Sequence, residues 1–381
     1  MKTEILIIGA GPAGLNAAKA ARKAGKQTIL AGEESFPPYW RPRLPEAIHT
    51  GAEINDILMQ SEDWFSSAGI QFFPSVKACD IDPVKKSVIW EDGSSTEYAS
   101  LILACGSYPN IPSVPFAEKV YPLRTYSDAL AIREACMRTH RAFVVGGGVL
   151  GLETAFAVSQ LGAKVSVYDI SDYPLPRQLD REGGLFLKKL LEKKGIMIHG
   201  GGNIEQYQAE VKSACVIAAA GVRPSTYLAK KCGIKTNRGI LVDEHMQTSA
   251  GDIYACGDVA EFSGAIPGLM TVAVKQGEIA GVNASGLNAV YYAVTPSPMT
   301  KVAGSSVLSV GSVQDAEGVQ FYRKYSGDKY ALAAVSSGKV VGAAFINDTA
   351  LGMKFKKCIE SDSVIGEVST YEEIIRKILK I

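Results

Sequence analysis

The seven cysteines, Cys79, Cys105, Cys136, Cys215, Cys232, Cys256 and Cys358, include no C-x-x-C pair. A thioredoxin-like couple, an iron–sulfur knuckle and a zinc site therefore lack their usual spacing. The odd, scattered set suits a reducing compartment, and most of its members fall in apolar strands, where a free Cys packs as a small hydrophobe. Long apolar runs are also missing. None approaches the ~18 residues of a membrane span, and the run Ile5–Ile8 meets a glycine turn at once, so it reads as a buried strand and not as a leader. A cytoplasmic location is the expectation. Neither sign of charge is in excess: 40 Lys and Arg stand against 39 Asp and Glu. That argues against a general nucleic-acid or membrane-surface binder.

What is present is glycine, at 38 positions, in 381 residues that are 47 % apolar. This predicts two or three well-buried α/β domains. The organising stretch is Ile5–Gly14. An apolar strand ends in Gly9-x-Gly11-x-x-Gly14, and an apolar helix pattern follows through Leu15, Ala17, Ala18 and Ala21. Strand, tight turn and helix are what a dinucleotide site requires. Gly9 allows the turn, Gly11 lets backbone approach a pyrophosphate, and Gly14 lets the helix pack on the strand. The free N–H groups at the helix start, around Pro12 and Ala13, face the phosphates. The next strand, Gln27–Ala31, leads to Glu33, roughly 20 residues on, where an acid accepts ribose hydroxyls. The plain alternative for Glu33 is a solvated loop charge.

The device returns at Phe143–Glu153. Gly146-x-Gly148-x-x-Gly151 follows a strand and opens a helix, with Val149 and Leu150 in its first turn. The strand Lys164–Tyr168 then delivers Asp169 to the acidic position, and no Arg or Lys follows at once. An acid there pairs with free ribose hydroxyls and repels a 2′-phosphate, so this site is expected to prefer NADH over NADPH.

Between these units lies Phe36–Leu44, rigid, aromatic and cationic, with Arg41, Pro42 and Arg43 placed to wall a flat ring; a Pro-rich surface turn is the alternative. A helix is predicted over Asp56–Ala68, short strands over Gln71–Val76 and Lys86–Trp90, and a hairpin turn at Asp92-Gly93. Buried strands are read at Leu101–Gly106 and Val211–Gly221, and helices at Glu182–Lys194 and Met270–Ala284. An apolar strand also runs into Gly257-Asp258. Asp258 there suits a ribityl hydroxyl, with capping of the following helix as the alternative. Prolines mark linkers near Pro109–Pro115 and at Pro296 and Pro298. The domains expected are 1–112 with 236–295, then 113–235, then a tail from 296 to 381. The tail shows strands near Ser306, Phe321, Tyr330 and Val340, a helix through Leu351, Phe355 and Ile359, and another from Tyr371.

Two glycine turns, Ala104-Cys105-Gly106, Ala220–Pro224 and Gly257-Asp258, in that order, resemble the glutathione-reductase-like family of flavoprotein pyridine-nucleotide oxidoreductases. The stretches Pro38–Leu44, Pro174–Leu187, Ala255–Phe262 and Pro296-Ser-Pro are similar to the NADH:rubredoxin oxidoreductase group and the related flavoprotein part of assimilatory nitrite reductases. The resemblance implies an α/β fold: two three-layer Rossmann-like domains, for FAD and NAD, plus a small α+β C-terminal domain. It also implies the set of site residues. FAD would be held by Gly9, Gly11, Pro12, Ala13, Gly14, Glu33, Arg41, Pro42, Arg43, Ala78, Ala104, Cys105, Gly106, Gly257 and Asp258. NADH would be held by Gly146, Gly148, Val149, Leu150, Gly151, Glu153, Asp169 and Gly221, with Glu153 near the nicotinamide carboxamide.

The disulfide-reducing members carry a reactive Cys in the region that here reads Trp40–Glu46 and holds none. A Lys after the R-P-x-L run is also replaced, by Pro45 and Glu46, which leaves Arg43 as the cation near the flavin. The resemblance therefore implies hydride transfer to flavin with no side-chain nucleophile and no metal. Electrons would leave singly to rubredoxin or a similar small acidic carrier, docked by Lys354, Lys356 and Lys357 with Arg41 and Arg43. An NADH oxidase, a reductase feeding another iron–sulfur or haem partner, and a non-catalytic NADH sensor are the alternatives. The oligomeric state stays open, with a monomer favoured.

Overall fold

The computed structural model describes residues 1–293, 295 and 297–380. Pro296, read above as part of a linker and a domain boundary, lies outside the described residues. Contacts divide the chain into two compact units: Met1–Arg43, Ala52–Tyr108 and Val222–Val294 form one, and Leu44–Gly51, Pro109–Gly221 and Thr295–Ile381 the other.

The first unit is built on a parallel sheet in the order Ile70–Phe73, Thr28–Ala31, Lys2–Ile8, Ser95–Leu103 and Ile253–Ala255, with an antiparallel arm of Ser87–Trp90 and Ala78–Asp82. These short β-branched runs are buried on both faces, as parallel strands are. The registers align Phe73, Ala31, Ile8, Leu103 and Ala255 in one row. Everything that follows those residues in sequence therefore emerges at one carboxyl edge. The helix Pro12–Lys23 buries Leu15, Ala17, Ala18 and Ala21. Its partner, Met270–Ala284, comes so close that a Cβ on Gly277 would lie 2.2 Å from the Ala13 carbonyl oxygen, and one on Gly281 2.3 Å from that of Ala17.

In the second unit a parallel sheet runs Ile196–Gly200, Lys164–Asp169, Arg141–Val145, Cys215–Ala218 and Val120–Pro122. Val145 is in register with Tyr168 and Ala218, so this sheet too has a carboxyl edge at Gly146 and Asp169. The same unit contains an antiparallel tail sheet in the order Met299–Val302, Ser305–Gly311, Lys339–Ile346, Lys329–Ser336 and Val319–Ser326. The tail helices Gly352–Glu360 and Tyr371–Ile378 cover one face through Phe355, Cys358 and Ile374.

The helix Arg181–Glu192 packs against this tail sheet, and its start explains an odd stretch of sequence. Asp180, 9 % exposed, caps the helix by accepting from the Gly183 N–H (3.1 Å). It also accepts from Tyr330 Oη (2.6 Å) and Arg323 Nε (2.8 Å). A Cβ on Gly183 would come within 2.6 Å of the Tyr330 ring, and one on Gly184 within 2.1 Å of Tyr173. The run Asp180-Arg-Glu-Gly-Gly is thus a seat for tail residues. Burial and the bond to Asp180 push the Tyr330 hydroxyl pKa well up, so it stays a donor.

Several elements differ from expectation. The helix over Asp56–Ala68 is broken into Ile54–Ile57 and Glu62–Ser67, because Leu58 and Met59 spend their backbone pairing with Pro38–Trp40. Val211 belongs to a helix, Gln208–Ser213, and only Cys215–Ala218 of the expected strand is extended. The run Leu44–Thr50 is a helix, and Arg133 donates to its Ile48 and His49 carbonyls. The helix Tyr126–Thr139 and the strand Met299–Val302 went unread.

Asp180→Ala removes a helix cap, strands the buried Tyr330 hydroxyl and takes one partner from the half-buried Arg323, which together cost about 2–4 kcal/mol. A lowered urea midpoint is expected, with lost near-UV signal from the tyrosines; an unchanged midpoint would show that the seat contributes nothing.

Candidate functional site

At the first carboxyl edge, backbone meets backbone. Gly9 has φ +111°, and a Cβ there would lie 2.2 Å from the Ala104 carbonyl oxygen. A Cβ on Gly14 would lie 1.9 Å from the Gly9 carbonyl oxygen. Gly11 differs: a Cβ there meets nothing within 4 Å. Gly11 is the N-cap of Pro12–Lys23, and no side chain caps that helix. The first-turn amides thus open onto free space beside a glycine, the geometry of an anion site. Other helices are closed by a side chain at the same position, Thr125 for Tyr126–Thr139 and Thr370 for Tyr371–Ile378.

Gly257 and Asp258 come from the neighbouring strand end. A Cβ on Gly257 (φ +78°) would touch Ala13 at 2.8 Å, and the Gly257 N–H donates to Gln276 Oε1 (2.9 Å). Ser107 Oγ donates to Asp258 Oδ2 (2.9 Å). Asp258 does not cap the next helix, whose N-cap is Leu269. The structure therefore brings together Gly9, Gly11, Pro12, Ala13, Gly14, Ala104, Cys105, Gly106, Gly257 and Asp258. Gly32 sits against Ala10 (2.7 Å to a built Cβ), which places Glu33 beside the turn. Glu33 is exposed and lies 3.4 Å from Lys77 Nζ. Its neighbour Glu34 is engaged: it accepts from Arg41 Nη2 (2.5 Å) and Tyr39 Oη (2.6 Å). Arg41 is fixed by that pair, while Arg43 Nη1 donates to the Asp56 carbonyl (2.6 Å). Pro42 lies between them in a short 3-10 turn, and Ala78 lies on the antiparallel arm, paired with Trp90.

The second edge repeats the geometry. A Cβ on Gly146 (φ +121°) would lie 2.4 Å from the Ala219 carbonyl oxygen, and one on Gly151 1.8 Å from the Gly146 carbonyl oxygen. Gly148 faces open space and starts Val149–Ser159 without a side-chain cap. Asp169 Oδ2 accepts from the Gly147 N–H (2.5 Å), and Oδ1 accepts from the Ser171 N–H (2.8 Å), which ties the acid to the turn. Just beyond, Asp172 holds Arg181 (Nη2–Oδ2 2.5 Å). Gly221, at φ +89°, accepts from the Asn110 N–H. Glu153 is half-buried. Burial raises its pKa, partly offset by a hydrogen bond from the Thr300 hydroxyl.

Sequence reasoning missed Ser107, Thr300 and the anchoring role of Gln276. None of the three has a partner visible until the chain folds.

The thiols are poor candidates for chemistry. All seven cysteines are free. Burial pushes the Cys105 pKa up to about 12, and Cys256 beside it is raised as well. Among the described residues no group of His, Cys, Asp and Glu could hold a metal, and no helix is long and apolar enough to cross a membrane.

Residues 3–277 match the family model "Pyridine nucleotide-disulphide oxidoreductase", and residues 296–363 match "Rubredoxin NAD+ reductase C-terminal domain". The chain is 43 % identical to the NADH-rubredoxin oxidoreductase of Clostridium acetobutylicum over 99 % of each chain. The crystal structure of that organism's NADH:rubredoxin oxidoreductase superposes with a TM-score of 0.94, covering 99 % of this chain and 100 % of that one. The assimilatory nitrate reductase electron transfer subunit of Bacillus subtilis is 32 % identical over 91 % of this chain and 48 % of that protein. Two glycine-turn Rossmann units with uncapped helix starts and this full-length likeness agree: the chain belongs to the pyridine nucleotide-disulphide oxidoreductase family, oxidoreductases that use FAD and a nicotinamide nucleotide.

Proposed function

We propose that this protein carries electrons from NADH through FAD to rubredoxin or a similar small one-electron carrier. The observation that carries this reading is the likeness to an NADH-rubredoxin oxidoreductase over the whole of both chains, tail included. Bound FAD would accept a hydride from NADH and give up the two electrons singly, chemistry that no side chain here supplies.

The protein's part is binding and orientation. The amides behind Gly11 take the FAD pyrophosphate, Glu33 the adenosine ribose, and Asp258, steadied by Ser107, a ribityl hydroxyl. Residues 1–112 and 236–295 form this half. Residues 113–235 hold NADH, with its pyrophosphate at Gly148 and its ribose on Asp169. Glu153 faces the nicotinamide end. The trunk of the first site is closed to thiol chemistry, since Trp40–Glu46 lacks Cys and Cys105 stays protonated. Electrons therefore leave to an outside carrier. Lys354 and Lys357 are exposed on the tail helix Gly352–Glu360 and suit an acidic partner. Arg41 is tied to Glu34, and Lys356 lies by Ser297 and Glu360.

Mixing the anaerobic, NADH-reduced protein with oxidised rubredoxin in a stopped-flow tests the reading. Reoxidation by rubredoxin much faster than by oxygen is expected, with low salt speeding it. Faster reoxidation by oxygen would make the protein an oxidase instead.

NADH should exceed NADPH in kcat/KM by at least about tenfold, because Asp169 meets the 2′-position and Asp172 keeps Arg181 from a phosphate. Asp169→Ser should shrink that ratio, and a wild-type preference for NADPH would refute the assignment.

Glu153 also has a stability signature. Its folded pKa is raised, so its stabilising contribution is complete below the unfolded glutamate value of about 4.3 and is lost as pH rises through the higher folded value. Glu153→Gln should therefore melt about a degree or more higher than wild type at pH 8, and the gap should close towards pH 4. A lower Tm at pH 8 would contradict this.

A further inference from the structure

Besides the residues that meet Asp180, the tail sheet presents Thr300 to the nucleotide-binding Rossmann domain of its own unit, and that side chain is polar where the pattern asks for an apolar one. In the strand Met299–Val302, exposure alternates: Met299 and Lys301 face out, and Thr300 and Val302 are buried. Thr300 is 6 % exposed. A buried hydroxyl needs a partner, and here it donates to Glu153 Oε1. The direction is fixed, because an ionised carboxylate can only accept.

The strand is itself held in place. Thr300 is in register with Val307 of the adjacent strand, Ser309 N–H donates to the Pro298 carbonyl, and Lys194 Nζ donates to the Ala303 carbonyl. Thr300 is thus a rigid donor aimed at the second turn of Val149–Ser159. Among the described residues no ion pair reaches the Glu153 carboxyl, and the hydrogen bond it receives comes from Thr300, which favours one orientation of that side chain.

We propose that Thr300 is a positioning residue for NADH: its hydroxyl holds the Glu153 carboxylate in the orientation that meets the nicotinamide end of the nucleotide, which makes the tail sheet part of the nucleotide site. This rests on the reading that Glu153 faces the nicotinamide. Thr300 itself touches no substrate. It acts by fixing a flexible side chain before the ligand arrives, which removes an ordering cost from binding.

The test is titration calorimetry of the FAD-loaded protein with NAD⁺ and, separately, with adenosine diphosphoribose, which lacks the nicotinamide. Thr300→Val keeps the shape and removes the donor. It should weaken NAD⁺ binding about 3- to 10-fold, the range of one hydrogen bond, and leave adenosine diphosphoribose within about twofold. Thr300→Ser should restore NAD⁺ binding. In anaerobic stopped-flow, Thr300→Val should raise the half-saturating NADH concentration more than it lowers the limiting rate of flavin bleaching. If Thr300→Val binds both ligands as wild type does, or weakens both equally, the proposal is wrong. Glu153→Gln separates the two levels. If it leaves the ratio of the two affinities unchanged, the placing of Glu153 fails and the proposal falls with it. If Glu153→Gln lowers the ratio and Thr300→Val does not, Glu153 stands and Thr300 does not.

Discussion

In each nucleotide turn three backbone segments meet where no side chain fits. The third glycine of the turn rests on the carbonyl of the first, with built Cβ distances of 1.9 Å for Gly14 and 1.8 Å for Gly151. The first glycine rests on a carbonyl at the end of the adjacent strand, at 2.2 Å from Ala104 and 2.4 Å from Ala219. This contact fixes where the helix starts relative to the sheet, so it also fixes where the free amides point. The middle glycine, Gly11 or Gly148, is under no such pressure from the protein. Its bare side is open space, as the proposed approach of a dinucleotide requires. Two kinds of glycine thus share one spacing, one serving packing and the other binding.

That constraint is local and steric, which is why it was legible in the sequence. The strands before and after each turn were legible for the same reason, as were the helix Met270–Ala284 and the four principal tail strands. What was not legible depends on distant partners. Leu58 and Met59 sit in a helical pattern, yet their backbone is recruited by Pro38–Trp40. The buried side of Tyr126–Thr139 is made largely of Ala129, Ala135 and Cys136, residues too small to announce a helix face. Glu33 and Glu34 are adjacent and alike. Only the fold shows that Glu34 is committed to Arg41 and Tyr39 while Glu33 stays exposed beside the turn. Thr300 carries no sequence signal at all, because one threonine in a strand is unremarkable until Glu153 lies opposite.

The family name refers to a disulfide that this chain has no place to form beside its first turn. A protein relay needs a thiolate near neutral pH, and that needs exposure or a nearby cation. Cys105 has neither. Its sulfur lies against the Ile8 carbonyl, and burial keeps its proton on. Where the resemblance implies a reactive Cys in disulfide-reducing members, this chain has Trp40–Glu46, in which Arg41 and Arg43 are fixed by Glu34 and by the Asp56 carbonyl. The segment is cationic, its guanidiniums are tied to the protein, and it holds no thiol.

The tail meets its neighbours through polar contacts, and that choice has a physical logic. Apolar faces pack with little demand on register, whereas a buried hydroxyl or carboxylate must find its partner or be destabilising. Asp180 satisfies three donors from three elements only when Tyr330 and Arg323 arrive together, and Gly183 leaves room for the Tyr330 ring. Thr300 then meets Glu153 as a consequence of that seating. A half-buried carboxylate with no ion-pair partner among the described residues costs stability, in line with the raised pKa of Glu153. An apolar residue in its place would hold the tail at least as well. Stability alone gives no reason for a carboxylate at Glu153 or a hydroxyl at Thr300, which is why the pair is read as serving the proposed nucleotide site.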